Sequence, residues 1–543
     1  MMRRRLAILA FISFVPVACA PPAVVTPAPT TPAAVPASAG APNTPAPATS
    51  TTTEPAAAVL APAPSDCEQF IKSPTAAAAA TCPTDETARL SALDEALAVD
   101  NQVARDQKLA QLENCVGFEP GLLRALRADF APAECADQLV EPWLREHQDS
   151  LGIEVSQVLR GLALAARLLR TSDQPPLLLP PFTRERFDAF LNTSIRPWYL
   201  AQSKVVFDMA SAGAKLSGYG KAVVAIEAGL SDLRFVENVR KVSIPAEMAA
   251  NREVVEVYQQ ALEDALEPRK QRGRDAILVG FLHFGQLGAL SDPRLYRARS
   301  QLVRLFAGSR INALDPLLLP PLRPLSEATA AERLAVKLPS FYADRLLPLG
   351  LTKTPNVVRA LLERGIPPRL RQQLEKDSHE SPEVARLFAR GQLELGRHYF
   401  RPADFIRAAI LLEQKSVLVG PTAKESKFVA ALSHALEGGP ENAVQLMLAG
   451  PMLPKGMGNV ESLDRLTHEP GVIAGLAAFD AAHLLSIIPQ EKPSFEHWQR
   501  IARYFDDAER KLDDPAQKAT AHARADDARA TATQIREAAA VKR

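Results

Sequence analysis

Proline, with its fixed φ and missing N–H, decides where this chain can be helical and where it must turn. There are 45 prolines against only 26 glycines among 543 residues, and aromatic residues make up 6%. Between the prolines the sequence is dominated by Ala, Leu, Arg and Glu, the strong helix formers, and it lacks the β-branched and aromatic runs of strands. An all-β protein is excluded, and the expected fold class is all-α, with helices joined by proline-rich corners. The length allows about three domains.

Apolar spacing places the helices. Leu90, Leu93, Leu97, Val103 and Leu109 trace a helical stripe over residues 85–114. Pro120 suits the first turn of a helix ending at Phe130, and a further helix over 134–147 contains Pro142. Ser243-Ile244-Pro245 has the form of a capped start, with Met248, Val255, Tyr258, Leu262 and Leu266 following on one face until Pro268. Another amphipathic helix runs from Arg274 to Leu287. Trp498, Ile501, Phe505, Ala508 and Leu512 form a last buried stripe, and the Ala-rich helix after Pro515 has little to bury, so it is expected to cap the fold or stand partly detached. The run Leu-Leu-Leu-Pro-Pro occurs twice, at 177–181 and at 317–321, and its second copy suggests a boundary near residue 320.

The first twenty residues read as an export signal. Arg3, Arg4 and Arg5 form a charged head, Leu6 to Val15 an apolar core, and small residues precede Cys19. The core is too short to span a bilayer. Pro16-Val17-Ala18-Cys19 resembles the lipobox of bacterial lipoproteins, although that family usually has Leu where Pro16 stands. The resemblance implies removal of residues 1–18, lipidation of Cys19 (thioether-linked diacylglycerol with palmitate-type chains) and anchoring in a Gram-negative envelope. Ala20, rather than an aspartate, follows the cysteine, and by resemblance to the enterobacterial sorting rule this favours the periplasmic face of the outer membrane. Residues 20–65 hold twelve prolines and one charge, Glu54, so they are expected to form a disordered stalk. At about 3.1 Å per residue its reach is up to about 140 Å.

Four more cysteines, Cys67, Cys82, Cys115 and Cys135, lie together at the start of the folded region, and none occurs later. In an exported chain an even set suggests disulfides, with three pairings open. The short loops favour Cys67 with Cys82 and Cys115 with Cys135. A zinc site is disfavoured, because no CxxC spacing occurs and His147 is the only nearby histidine.

Leu395-Gly396, Tyr399, Asp404-Phe405 and Ala408-Ala409 are spaced as in the tetratricopeptide repeat. A second copy follows at a period of 35, with Ala431 in place of Gly396, Ala443 aligned with Ala408, Gly438 at the turn and Met447 in place of Leu412. Gln392 and Pro440 depart from the pattern. The resemblance covers residues 390–450 and implies helix pairs packed through small residues at Gly396, Ala408, Ala431 and Ala443, within an irregular α-solenoid. The expected layout is a signal at 1–18, a stalk at 19–65, a disulfide-bearing region at 66–150, a helical domain at 151–320, a tetratricopeptide-like domain at 321–515 and a terminal helix at 516–543.

Chemistry is sparse. None of the nine histidines makes a local metal motif; His283 and His434 read as core or groove residues. No nucleophile elbow, P-loop or dinucleotide fingerprint occurs, and Gly218-Tyr219-Gly220-Lys221 reads as a turn. Glu425-Ser426-Lys427-Phe428 resembles the Glu-Ser-x-Phe motif of lytic transglycosylases, which implies Glu425 as a general acid. The downstream segment departs from that family, with Gln445-Leu446-Met447 in the wrong order and its preceding glycine missing. Otherwise Glu425 is a first-turn acid placed for the helix dipole. Arg269, Lys270, Arg272 and Arg274 form a dense basic cluster that could grip an anionic polymer, a lipid headgroup or an acidic partner, but adjacent Glu263, Asp264 and Glu267 favour mutual pairing across a helix end.

With 63 basic and 62 acidic residues the net charge is +1, which predicts no nucleic-acid partner. No metal or cofactor is expected. The expected function is that of a lipid-anchored periplasmic scaffold or adaptor binding an envelope protein through its helical surface, with a peptidoglycan-active enzyme as the alternative.

Overall fold

The computed structural model describes residues 60–541, apart from 72–81, 148–150, 172–174, 177–183, 242–249, 307–309, 325–328, 440–446, 490–493 and positions 449, 451 and 455. Cys19, Ala443, the first Leu-Leu-Leu-Pro-Pro run and Ser243-Ile244-Pro245 lie outside the described residues. The described chain is all-α. Among the described residues there is no strand, only the isolated bridges Leu60–Thr171 and Ala289–Gly365.

The disulfide-bearing region begins with two helices rather than one. Glu86–Leu97 is capped by the Asp85 side chain and Gln102–Glu113 by that of Asn101. Asn101 caps its helix by accepting from Ala104 N, which restarts the chain where the apolar stripe suggested continuity. Pro120–Phe130 follows, with Pro120 in its first turn as expected, then Ala136–His147 with Pro142 inside it and Ile153–Leu169. Buried Arg127 ties the second of these helices to the third: its fork meets both oxygens of Asp106 at 2.8 and 2.9 Å, and its Nη1 meets Glu113 at 2.6 Å.

The cysteines pair as Cys67–Cys135 and Cys82–Cys115, not sequentially. Loop closure favours a shorter loop by only about 0.6 kcal/mol per halving, so packing decides. The turn Ser65–Cys67 and the short helix Glu68–Ile71 dock on the Gln102–Glu113 and Ala136–His147 helices, burying Phe70 and bringing Cys67 to Cys135.

The middle of the molecule is built on long helices, Arg196–Ala214, Gly218–Arg240 and Arg252–Gln286. Gly218 and Gly220 belong to the first turn of the second of these, not to a connecting turn. A Cβ on Gly220 would strike the backbone of Gln157, and one on Gly161 that of Gly220, so these glycines allow the Ile153–Leu169 and Gly218–Arg240 helices to touch at backbone level. The third runs unbroken through Pro268, where the sequence suggested an end. Asp264 and Pro268 are exposed, so water can satisfy the carbonyl that loses its partner, while Leu266 and Arg269 on the opposite face are buried.

From residue 382 onward each helix packs on the next: Pro382–Tyr399, Pro402–Leu412, Ala423–Leu436, Glu461–Thr467, Val472–Ser486, Phe495–Lys511 and Pro515–Val541. This is the stacked arrangement of an irregular α-solenoid. The stripe Ile501, Phe505, Ala508 and Leu512 is buried as expected. The last helix is docked rather than detached, because Ala521, Ala525, Ala528 and Ala532 bury a seam of small residues against its neighbour. One cluster of buried apolar side chains extends from Phe70 to Ala528 and crosses the positions near 150, 320 and 515 where boundaries were expected.

The packing of the first tetratricopeptide-like pair yields a direct test. Ala408 is fully buried, so Ala408→Trp overpacks the seam and is expected to cost about 1–3 kcal/mol. Thermal unfolding checks this, and an unchanged Tm would show that the seam is not close-packed.

Candidate functional site

Local rules bring the repeat residues together. Ser381 caps Pro382–Tyr399 through its side chain, and Pro382 occupies the first turn. The helix stops at Phe400, whose φ of 50° is left-handed, and Arg401 N donates to Gly396 O to close the turn. The chain then enters Pro402–Leu412. Leu395, Tyr399, Phe405 and Ala408 are all essentially inaccessible. A Cβ on Gly396 would lie 2.5 Å from the Phe405 ring, so the glycine at 396 is what admits that ring. Tyr399 donates its hydroxyl proton to Ala289 O at 2.6 Å, joining this pair to the middle of the molecule. In the second unit Ala431 is buried within Ala423–Leu436, and a Cβ on Gly438 would strike the backbone of Gly456.

A further set of polar side chains lies where these helices hold the Leu317-Leu318-Leu319-Pro320-Pro321 corner. Residues 311–316 form successive turns and 317–324 are non-helical. Arg397 Nη2 donates to Leu314 O at 2.9 Å and to Leu317 O at 3.1 Å, and Arg390 Nη1 donates to Pro320 O at 3.0 Å. Asp480 Oδ1 accepts from Leu318 N at 2.7 Å. His483, almost one turn further along the same helix, reaches Ala313 O with Nε2 at 2.7 Å, and its Nδ1 accepts from Arg524 Nη1 at 2.9 Å. Since arginine can only donate, His483 is the neutral Nε2–H tautomer.

Burial explains the titration behaviour of this cluster. It pushes the Asp480 carboxyl well above the usual carboxylate range, with the Leu318 amide acting against it. It pulls His483 down to about 4, with Arg524 and Arg397 adding to the effect, and His398 down to about 3, with Arg299 and Arg397 adding. Arg299 Nη1 donates to His398 Nδ1 at 3.1 Å. His434 behaves oppositely: although desolvation acts against its proton, its ring nitrogens face Glu413 at 2.8 Å and Glu437 at 3.1 Å, which hold it above the ordinary histidine value.

A cleft of about 350 Å³ adjoins His483, lined by Trp498, Ile501, Phe505 and Arg524 among others. Glu425 is elsewhere. It is exposed in the first turn of Ala423–Leu436, while its neighbours Ser426 and Phe428 are buried. No group of three or more His, Cys, Asp or Glu side chains is arranged for a metal ion among the described residues, and the four cysteines are consumed by the two disulfides. The basic cluster is also placed differently from expectation. Arg269 and Arg272 turn inward to Asp232 of the neighbouring helix, and only Lys270 meets Glu267. Arg390, Arg397, Asp480 and His483 were not singled out by the sequence. The available signal was an acid and a histidine three residues apart in an otherwise apolar, Ala-rich helix.

Comparison with protein families, with curated proteins and with solved structures finds no match.

The neutral histidines fix the sign of an acid response. Their folded values lie below the ordinary 6.5, so their contribution is complete above about pH 6.5 and is lost as pH falls toward 4 for His483 and toward 3 for His398. The loss for His483 by pH 4 is on the order of 1–3 kcal/mol. His483→Gln, which keeps a donor and an acceptor, is expected to flatten the fall in Tm between pH 6.5 and 4. Parallel Tm curves for the two proteins would contradict the assignment.

Proposed function

We propose that the protein is a lipid-anchored periplasmic scaffold or adaptor of the outer membrane that binds an envelope protein through its helical-repeat surface. The observation that carries this reading is the outer face of the first repeat pair. Ile406 and Ile410 lie one turn apart on Pro402–Leu412 and are 43% and 61% exposed, and Val419 in the following turn is 65% exposed. Large aliphatic side chains left in water beside a close-packed seam are the material of a protein interface. The stacked helices supply a rigid frame for such a face.

The membrane reading rests on the lipobox-like run before Cys19 and the proline-rich stretch after it. The enzyme alternative gains nothing from its own candidate, since Glu425 is exposed rather than enclosed in a sugar-sized cleft.

A photo-crosslinking residue at position 403, beside Ile406, tests the reading in cells. It is expected to capture one envelope protein reproducibly, and Ile410→Asp is expected to reduce capture at least tenfold while shifting stability by only about 0.5 kcal/mol, as for a surface change. In the same strain Cys19→Ser is expected to abolish palmitate labelling. Undiminished capture in Ile410→Asp would overturn the interface, and a wild-type protein without label would overturn the anchor.

A further inference from the structure

The basic cluster that the sequence singled out packs against the Arg196–Ala214 helix. Trp198 Nε1, Gln202 Nε2 and Arg269 Nη1 are buried and have no hydrogen-bond partner among the described residues. All three are donors. The residues that carry them are 6%, 0% and 2% exposed, so bulk water does not satisfy them.

These donors belong to one neighbourhood. Trp198 and Gln202 stand one turn apart on the same face of the Arg196–Ala214 helix. Gln202 Oε1 accepts from Arg269 Nη2, which sets the free amide N–H group of Gln202 beside the free Nη1 of the arginine. The Arg269 guanidinium covers the Phe235 ring at 3.6 Å, and the Trp198 ring stacks on the same phenyl at 5.1 Å. Phe235 thus packs against both Arg269 and Trp198.

The charge count points the same way. Arg269 Nε meets Asp232 Oδ1 at 2.9 Å, and Arg272 Nε meets Asp232 Oδ2 at 2.6 Å. Two guanidiniums therefore share one carboxylate, and neither has another acidic partner among the described residues. Burial holds the Arg269 guanidinium below its ordinary value, with Asp232 acting against this and Arg272 adding to it. Arg272 is 36% exposed and its Nη atoms reach Ser203 Oγ at 3.3 Å, which gives the cluster an edge at the surface.

We propose that this cluster is a binding site for a small oxyanion, held by Arg269, Gln202 and Trp198 with Arg272 at its mouth. Carboxylate and phosphate groups share the required chemistry, a compact negative charge with several acceptor lone pairs that can take N–H bonds from a guanidinium, an amide and an indole together. The site is separate from the Ile406 and Ile410 face and does not depend on the scaffold reading.

The test uses the full chain, with Tm followed in a zwitterionic buffer as inorganic phosphate or acetate replaces chloride at constant ionic strength. A saturable rise of about 2–4 °C with either ion at low millimolar concentration supports the site; response to phosphate alone assigns a phosphoryl ligand, and response to acetate alone a carboxylate. Gln202→Glu supplies a fixed carboxylate at the same position. It is expected to melt higher than wild type in the anion-poor buffer and to lose the response. Trp198→Phe keeps the ring stack and removes one donor, and is expected to weaken the midpoint about three- to tenfold, a readout that stands even if Gln202→Glu does not fold. No saturable response in wild type overturns the proposal. So does an equal, unsaturating rise in wild type and Trp198→Phe, which reports only the general exclusion of salts from protein surfaces.

Discussion

Connections between helices leave backbone N–H and C=O groups without helical partners, and those that are buried must find partners elsewhere. In this fold the partly buried corner over residues 311–321 is such a connection, and the helices of the C-terminal stack supply partners for several of its groups. Arg397 and Arg390 cover its carbonyls, Asp480 takes the Leu318 amide, and His483 takes Ala313 O. Leaving one such group unpaired costs about 1–3 kcal/mol, so the set outweighs any single apolar contact at this corner. The same side chains join three separate parts of the stack to the segment that leads into it, with Arg524 of the last helix reaching the corner through the His483 ring.

Small residues do the complementary work. Gly396 admits the Phe405 ring, Gly161 and Gly220 bring two helices to backbone contact, and an alanine seam docks the last helix. The repeat resemblance rested on this kind of spacing, and Gly396, Phe405 and Ala408 lie where the Pro382–Tyr399 and Pro402–Leu412 helices pack together. Close approach of small residues leaves the large aliphatics free to face outward at Ile406 and Ile410, which is where the proposed function places its partner.

The parts of the fold governed by local rules were legible in the sequence. Pro120 in a first turn, the Trp498 to Leu512 stripe and the all-α class all follow from proline geometry and 3.6-residue periodicity. The parts governed by partners distant in the chain were not. Nothing near Pro268 reveals that its solvent-facing side lets the helix continue, and the alanines after Pro515 carry too little hydrophobic signal to announce that they are buried. Asp232 lies 37 residues before Arg269, so the acids adjacent in sequence were the expected partners, and of the expected pairs the Lys270–Glu267 contact forms while Arg269 and Arg272 go to Asp232. The cysteine pairing was set in the same way, by where the Ser65–Cys67 turn docks rather than by loop length. Of the candidate site, the repeat pair could be read from residues, while Arg390, Arg397, Asp480 and His483 acquire their role only from the corner they enclose.

The Leu318 amide reports most directly on how the corner is held. Hydrogen–deuterium exchange across residues 311–321 is expected to show slow exchange at Leu318 in the wild type and in Asp480→Asn, which retains a carbonyl acceptor, and exchange at least tenfold faster in Asp480→Ala, spreading to the neighbouring amides as the corner loosens. Protection that stays unchanged in Asp480→Ala would mean that apolar side chains alone hold the corner, and that its backbone partners are not what the C-terminal stack depends on.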